Sequence, residues 1–92
     1  MLERTVVVKN PLGMHARAAA RFVHTATTFA SHVRVGRGSR VVDGKSIMGI
    51  LLLAAACGST ITITAEGADE PQALNALCQL VDSGFGESPC NV

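Results

Sequence analysis

Tryptophan and tyrosine are missing from this 92-residue chain, and Phe22, Phe29 and Phe85 are its only aromatic residues. Proteins that hold single-stranded nucleic acid usually combine a positive groove with aromatic platforms for the bases. With a formal net charge of +1 and no basic tail, this chain has neither. All three phenylalanines fall in apolar patterns that place them in a core, so no nucleic-acid partner is expected. Charge of either sign is scarce, at 16% of residues against about 25% in an average soluble domain. Some apolar side chains should therefore stay outside, where such patches often mark docking sites. The longest apolar run, residues 50–57, is far short of the ~20 residues a membrane helix needs. Met1-Leu2-Glu3-Arg4 does not open a signal peptide, and a cytoplasmic location is expected. Cys57, Cys78 and Cys90 are widely and irregularly spaced, with no CxxC and no zinc-like pair. They are expected to be reduced, with no metal and no cofactor bound.

What is present is one domain, residues 1–92, with 48% hydrophobic residues to fill a single core and a frayed tail expected at 88–92. Residues 5–9 are short and β-branched and run into Asn10-Pro11-Leu12-Gly13, a strand followed by a loop. From Ala16 the period changes: Ala19, Phe22, Val23, Ala26, Phe29 and Ala30 recur at helical steps, with Arg17, Arg21, His24 and Thr28 opposite. Residues 32–36 and 40–43 alternate around an Arg37-Gly38-Ser39 turn, an antiparallel hairpin. Ser46 stands where a helix cap would stand, ahead of an apolar segment that Gly58 would end. Residues 60–64 alternate strictly, another strand. Asp69-Glu70-Pro71-Gln72 then reads as a capped helix start, with Ala73, Leu74, Leu77, Leu80 and Val81 as its apolar face and Gly84 as its stop. The order β-α-β-β-α-β-α predicts an α+β two-layer sandwich: a four-stranded antiparallel sheet with three helices on one face.

The loop 10–14 delivers His15 to the start of the first helix. Backbone amides there lack intrahelical partners, and the helix field is positive. Phosphate suits such a site. Attack on phosphorus requires an unprotonated ring nitrogen. Arg17, in the first turn, can add charge-assisted hydrogen bonds to phosphoryl oxygens, and Arg21, one turn on, a weaker field. The plainer reading of His15 is a helix cap. His24 and His32 lack this setting and read as solvated surface residues.

Asn10-Pro11-Leu12-Gly13-Met14-His15-Ala16-Arg17-Ala18-Ala19 resembles the active-site motif of the HPr family, the histidine-containing phosphocarriers of the phosphoenolpyruvate-dependent sugar phosphotransferase system. Gly44-Lys45-Ser46-Ile47-Met48-Gly49-Ile50 independently resembles that family's regulatory serine segment, and the likeness runs from Thr5 to about Glu87. The resemblance implies that enzyme I, charged from phosphoenolpyruvate, phosphorylates Nδ1 of His15, that Arg17 stabilises the phosphohistidine, and that an enzyme IIA domain receives the group. It implies a docking surface including Ile47, Met48, Leu51 and Arg21 on a monomeric carrier that is transiently phosphorylated rather than a self-contained enzyme. It also implies phosphorylation of Ser46 by an HPr serine kinase/phosphorylase where the host has one. The run at 51–57 and the ending Gly84-Phe85-Gly86-Glu87 look like proteobacterial HPr and its nitrogen-related paralogue NPr as much as the Gram-positive carriers. Two further readings stay open: a nitrogen-type regulatory phosphocarrier, and an interaction module on the same fold that is never phosphorylated. For Ile47 to Leu51 the alternative is core packing, and for Ser46 a simple cap.

Overall fold

Strict alternation in β4 (Thr60–Glu66) sends Ile61, Ile63 and Ala65 into the core and leaves the threonines on the other face, because successive strand side chains point to opposite sides. The computed structural model describes residues 1–86; the expected tail at 88–92, with Cys90, lies outside them. β4 is flanked by β1 (Leu2–Val7), where Val6 faces Ile61, and by β2 (His32–Arg37), where Val35 faces Ile63. β3 (Arg40–Asp43) completes a sheet of order β1-β4-β2-β3 with every pair antiparallel.

Three helices cover the apolar face, as the pattern predicted. α1 (Ala16–Thr27) buries Ala18, Ala19, Phe22 and Ala26; α3 (Glu70–Asp82) buries Ala73, Leu74, Leu77, Cys78 and Val81. The short α2 (Ile47–Leu52) buries Ile50. Fully burying a large apolar side chain such as Phe22, Ile50 or Leu77 contributes about 1.5–3 kcal/mol. A 3₁₀ turn at Gly84–Gly86 follows α3 and seals the core with Phe85.

The ends of elements differ from the sequence reading, and each difference has a tertiary cause. β1 starts at Leu2, three residues earlier than expected, because its whole length pairs with β4, and it ends at Val7 rather than residue 9. α1 stops at Thr27 instead of reaching Ala30. The hydroxyls of Thr27 and Thr28 turn back to the carbonyls of His24 and Thr25, and the amides of Ala30 and Ser31 are claimed by the Asp69 carboxylate, both at 2.9 Å. Asp69 therefore precedes α3 without capping it; the Glu70 carboxylate instead reaches back to the Gly67 amide at 3.2 Å. α2 does not run to Gly58. It ends at Leu52, and the chain turns at Ala54, which has a left-handed φ of 51°. Cys57 is disulfide-bonded, contrary to the expectation of reduced cysteines, whereas Cys78 is a buried free thiol. The wide, irregular spacing gave no sign of pairing, and disulfides are uncommon in reducing compartments.

Candidate functional site

The approach to His15 is built from backbone. Asn10 is fully buried and its Nδ2 donates to the Gly13 carbonyl at 2.6 Å, while the Gly13 amide donates back to the Asn10 carbonyl at 3.1 Å. These two bonds close the 10–13 turn, and Gly13 completes it with a φ of +67°, where an L side chain is strained. The buried Met14 then donates its amide to the Ala55 carbonyl at 2.8 Å. The loop before the histidine is thus seated on the chain that leaves α2.

His15 is the N-cap of α1. Its backbone is extended (φ −75°, ψ −179°), its carbonyl accepts the Ala19 amide at 2.8 Å, and its side chain makes no capping bond to the helix. The side-chain cap reading is therefore not the one realised. The residue is half-buried, and no acidic residue in the first turn competes for the helix's positive end. Arg17 is exposed in that turn. Arg21 is exposed but committed: its Nη1 donates to the Phe85 carbonyl, tying α1 to the 3₁₀ turn. The sequence reading of Arg21 as a second, weaker field did not foresee this anchor, since no local pattern links residues 64 positions apart.

Ser46 caps α2, its Oγ accepting the Gly49 amide at 3.1 Å, and it is half-buried. The residue before it is also engaged, with the Lys45 ammonium on the Phe29 carbonyl at 2.8 Å. The apolar segment after Ser46 divides into two faces. Ile50 and Leu53 are buried and Leu51 is half-buried against the core, while Ile47 and Met48 are 43% and 67% exposed. Leu52, 60% exposed, belongs with the outer face and was missed, although it sits four residues after Met48, one helical turn away. Leu12, 71% exposed on the loop ahead of His15, was missed as well; a leucine between proline and glycine is its only sequence signal. α1 and α2 pack against each other. Among the described residues, no group of His, Cys, Asp and Glu is placed to hold a metal ion.

Chemically, this arrangement offers a nucleophilic ring at the positive end of a helix, amides without intrahelical carbonyl partners beside it, and a guanidinium in the first turn. An anion placed there gains roughly 0.3–1 kcal/mol, and up to ~2 in partly buried geometry.

Comparison with known proteins places this chain among phosphocarrier proteins. Residues 2–83 match the family model described as the PTS HPr component phosphorylation site. The phosphocarrier protein HPr of Cupriavidus necator is 47% identical over 87 residues, covering 95% of this chain and 98% of that one. The phosphocarrier protein NPr of Shewanella violacea is 39% identical over 87 residues, covering 95% and 96%. The crystal structure of HPr-C-His from Thermoanaerobacter tengcongensis superimposes with a TM-score of 0.92 at 45% identity, covering 96% of this chain and 99% of that one.

Proposed function

Because this chain belongs to the HPr/NPr family of phosphocarrier proteins, we propose that it accepts a phosphoryl group from enzyme I on His15 and passes it to an enzyme IIA domain of the sugar phosphotransferase system. The observation that carries the proposal is the half-buried His15 standing at the N-cap of α1, two residues ahead of the exposed Arg17.

In the first transfer, the unprotonated ring nitrogen of His15 attacks the phosphorus of the donor's phosphohistidine. The new N–P bond forms as the donor's breaks, and the donor ring leaves with the electron pair. The phosphoryl oxygens are then held by amides of the first turn of α1 and by Arg17. Transfer to enzyme IIA runs the same exchange in the other direction, with His15 as the leaving group. The protein is a substrate in both steps, so it acts as a carrier. Arg21 contributes by fixing α1 to the 3₁₀ turn that follows α3. Ile47 and Met48 form the apolar docking surface, extended by Leu52 and Leu12, with Leu51, half-buried against the core, contributing only its exposed part. We place the exchange in the cytoplasm, where phosphoenolpyruvate supplies enzyme I, and treat the carrier as a monomer.

Ser46 is the regulatory position of this reading. A phosphoryl group on its Oγ would be tolerated at the start of α2 but would put about two negative charges beside the apolar docking face, opposing partners by charge and desolvation. An HPr serine kinase/phosphorylase is the partner this implies. The higher identity to HPr than to NPr favours the sugar branch over the nitrogen-type carrier, and the presence of both His15 and Arg17 argues against a purely non-phosphorylated module.

Incubation with enzyme I and phosphoenolpyruvate tests the reading. One acid-labile phosphoryl group per chain is expected, abolished by His15→Ala. No labelling of the wild-type protein by a competent enzyme I would overturn it. Which enzyme IIA then accepts the label separates the sugar from the nitrogen branch.

A further inference from the structure

The β2–β3 hairpin sets two guanidinium side chains directly opposite one another, since Arg37 and Arg40 are cross-strand partners flanking Gly38 and Ser39. Like charges in that position repel, and the end of α2 offsets the repulsion. Arg37 Nη1 donates to the Leu53 carbonyl at 3.1 Å, and Arg40 Nη1 donates to the Leu52 carbonyl at 2.5 Å. The last carbonyls of a helix lack intrahelical partners and carry its negative end, so both bonds go where cations are favoured.

Residues 54–56, which leave the clamped end of α2, form the seat of the histidine loop. Ala54 holds a left-handed backbone, φ 51°, which a non-glycine residue adopts at a cost of roughly 1–2 kcal/mol. Ala55 is buried, and its carbonyl receives the Met14 amide at 2.8 Å. Gly13 lies so close to this segment that a Cβ on it would stand 2.8 Å from the Ala56 Cα. The segment is tied on its far side as well: the Ser59 amide donates to the Ala56 carbonyl at 2.9 Å, and the Gly58 amide to the Val8 carbonyl at 2.8 Å. The backbone entering His15 therefore rests on a stretch of chain whose preceding two carbonyls are gripped by the hairpin.

We propose that Arg37 and Arg40 are positioning residues for phosphoryl transfer at His15. They clamp the end of α2, the clamp holds residues 54–56, and these seat Gly13 and Met14 so that His15 stands at the helix N-terminus. The inference rests on the carrier reading of His15. The arginines act through backbone, which separates them from Arg17 and from the docking face.

The test uses two donors: enzyme I charged from phosphoenolpyruvate, and phosphoramidate, a small donor that needs no docking. With phosphoramidate, the His15 nitrogen attacks phosphorus, the donor P–N bond breaks, and ammonia leaves. The Arg37→Ala/Arg40→Ala protein is expected to be phosphorylated about tenfold more slowly by both donors at saturation, because displacements near 1 Å caused far from the chemistry cost up to ~100-fold. Arg37→Lys/Arg40→Lys should recover most of the rate, since lysine also donates to terminal helix carbonyls. Hydrogen exchange of the Met14 amide should quicken in the alanine protein and return in the lysine protein. If the double alanine protein does not fold, Arg37→Ala alone is read by the same rates and exchange. Unchanged rates with both donors overturn the inference, and a loss confined to enzyme I overturns it in favour of a docking role. A wild-type protein that takes phosphoryl from neither donor overturns the carrier reading and this inference with it, whereas a labelled wild type beside an indifferent variant overturns the inference alone.

Discussion

A Cβ built on Gly13 would stand 2.5 Å from the carbonyl oxygen of Ala55, inside any permitted non-bonded contact. That carbonyl is also the acceptor for the Met14 amide, so the glycine allows the two backbones to meet where the histidine loop is seated. Gly13→Ala is therefore expected to be destabilising on two counts: about 1–2 kcal/mol for left-handed backbone, and about 1–3 kcal/mol for overpacking. Urea unfolding measures the sum, and phosphorylation by enzyme I should slow in the same variant. A variant as stable as the wild type would show that the loop lifts off this seat freely.

Met48 and Leu53 sit five positions apart in the same apolar run, yet one is 67% exposed and the other 1%. Met48→Asp should change stability by no more than about 0.5 kcal/mol, as surface substitutions do, while weakening transfer from enzyme I. Leu53→Ala should cost about 2–5 kcal/mol through the cavity it leaves. Thermal unfolding beside phosphotransfer kinetics separates the two. Severe unfolding by Met48→Asp would place that side chain in the core.

This pair also shows where the sequence was legible and where it was not. Alternation in residues 60–66 and the three- and four-residue spacing of Ala19, Phe22 and Ala26 fix element type and inward face, because each contrasts apolar with polar positions. Residues 47–53 contain no polar side chain, so their period carries no phase; packing against α1 and β3 decides that Ile50 goes in and Leu52 stays out. Element ends were equally hidden. Those of α1 and α2 depend on Asp69, Arg37 and Arg40, which lie far away in sequence. That His15 stands at a helix start was legible because the loop, the glycine and the helix start lie side by side in the chain, whereas the seat of that loop on residues 54–56 was not.

The Ser46 side chain serves the fold through its Oγ, which accepts the Gly49 amide at 3.1 Å. Removing it in Ser46→Ala should cost about 1 kcal/mol, the usual effect of losing such a cap, without altering transfer from enzyme I. Ser46→Asp keeps a capping oxygen and adds a negative charge, so it should stay near wild-type stability and slow transfer. If Ser46→Asp transfers as fast as wild type, charge at this position does not oppose docking.

Asp69 supplies a pH dependence whose sign is set by its contacts. The Ser31 hydroxyl donates to Oδ1, and the amides of Ala30 and Ser31 donate to Oδ2 and Oδ1 at 2.9 Å each. These donors, the Ser31 hydroxyl foremost, hold its carboxyl below the usual carboxylate range in the folded protein. In the unfolded chain it titrates near ~3.9. A folded value below the unfolded one means the unfolded state binds the proton more readily as pH falls. The contribution is therefore complete above the unfolded value and is lost as the pH falls below it and through the lower folded value, where the folded carboxylate protonates. Asp69→Asn retains much of the shape but not the charge, so its urea midpoint should be lower than wild type at neutral pH, and the gap should close as the solution is acidified. A gap that stays constant through that range would mean the three donors do not distinguish the carboxylate from its protonated form.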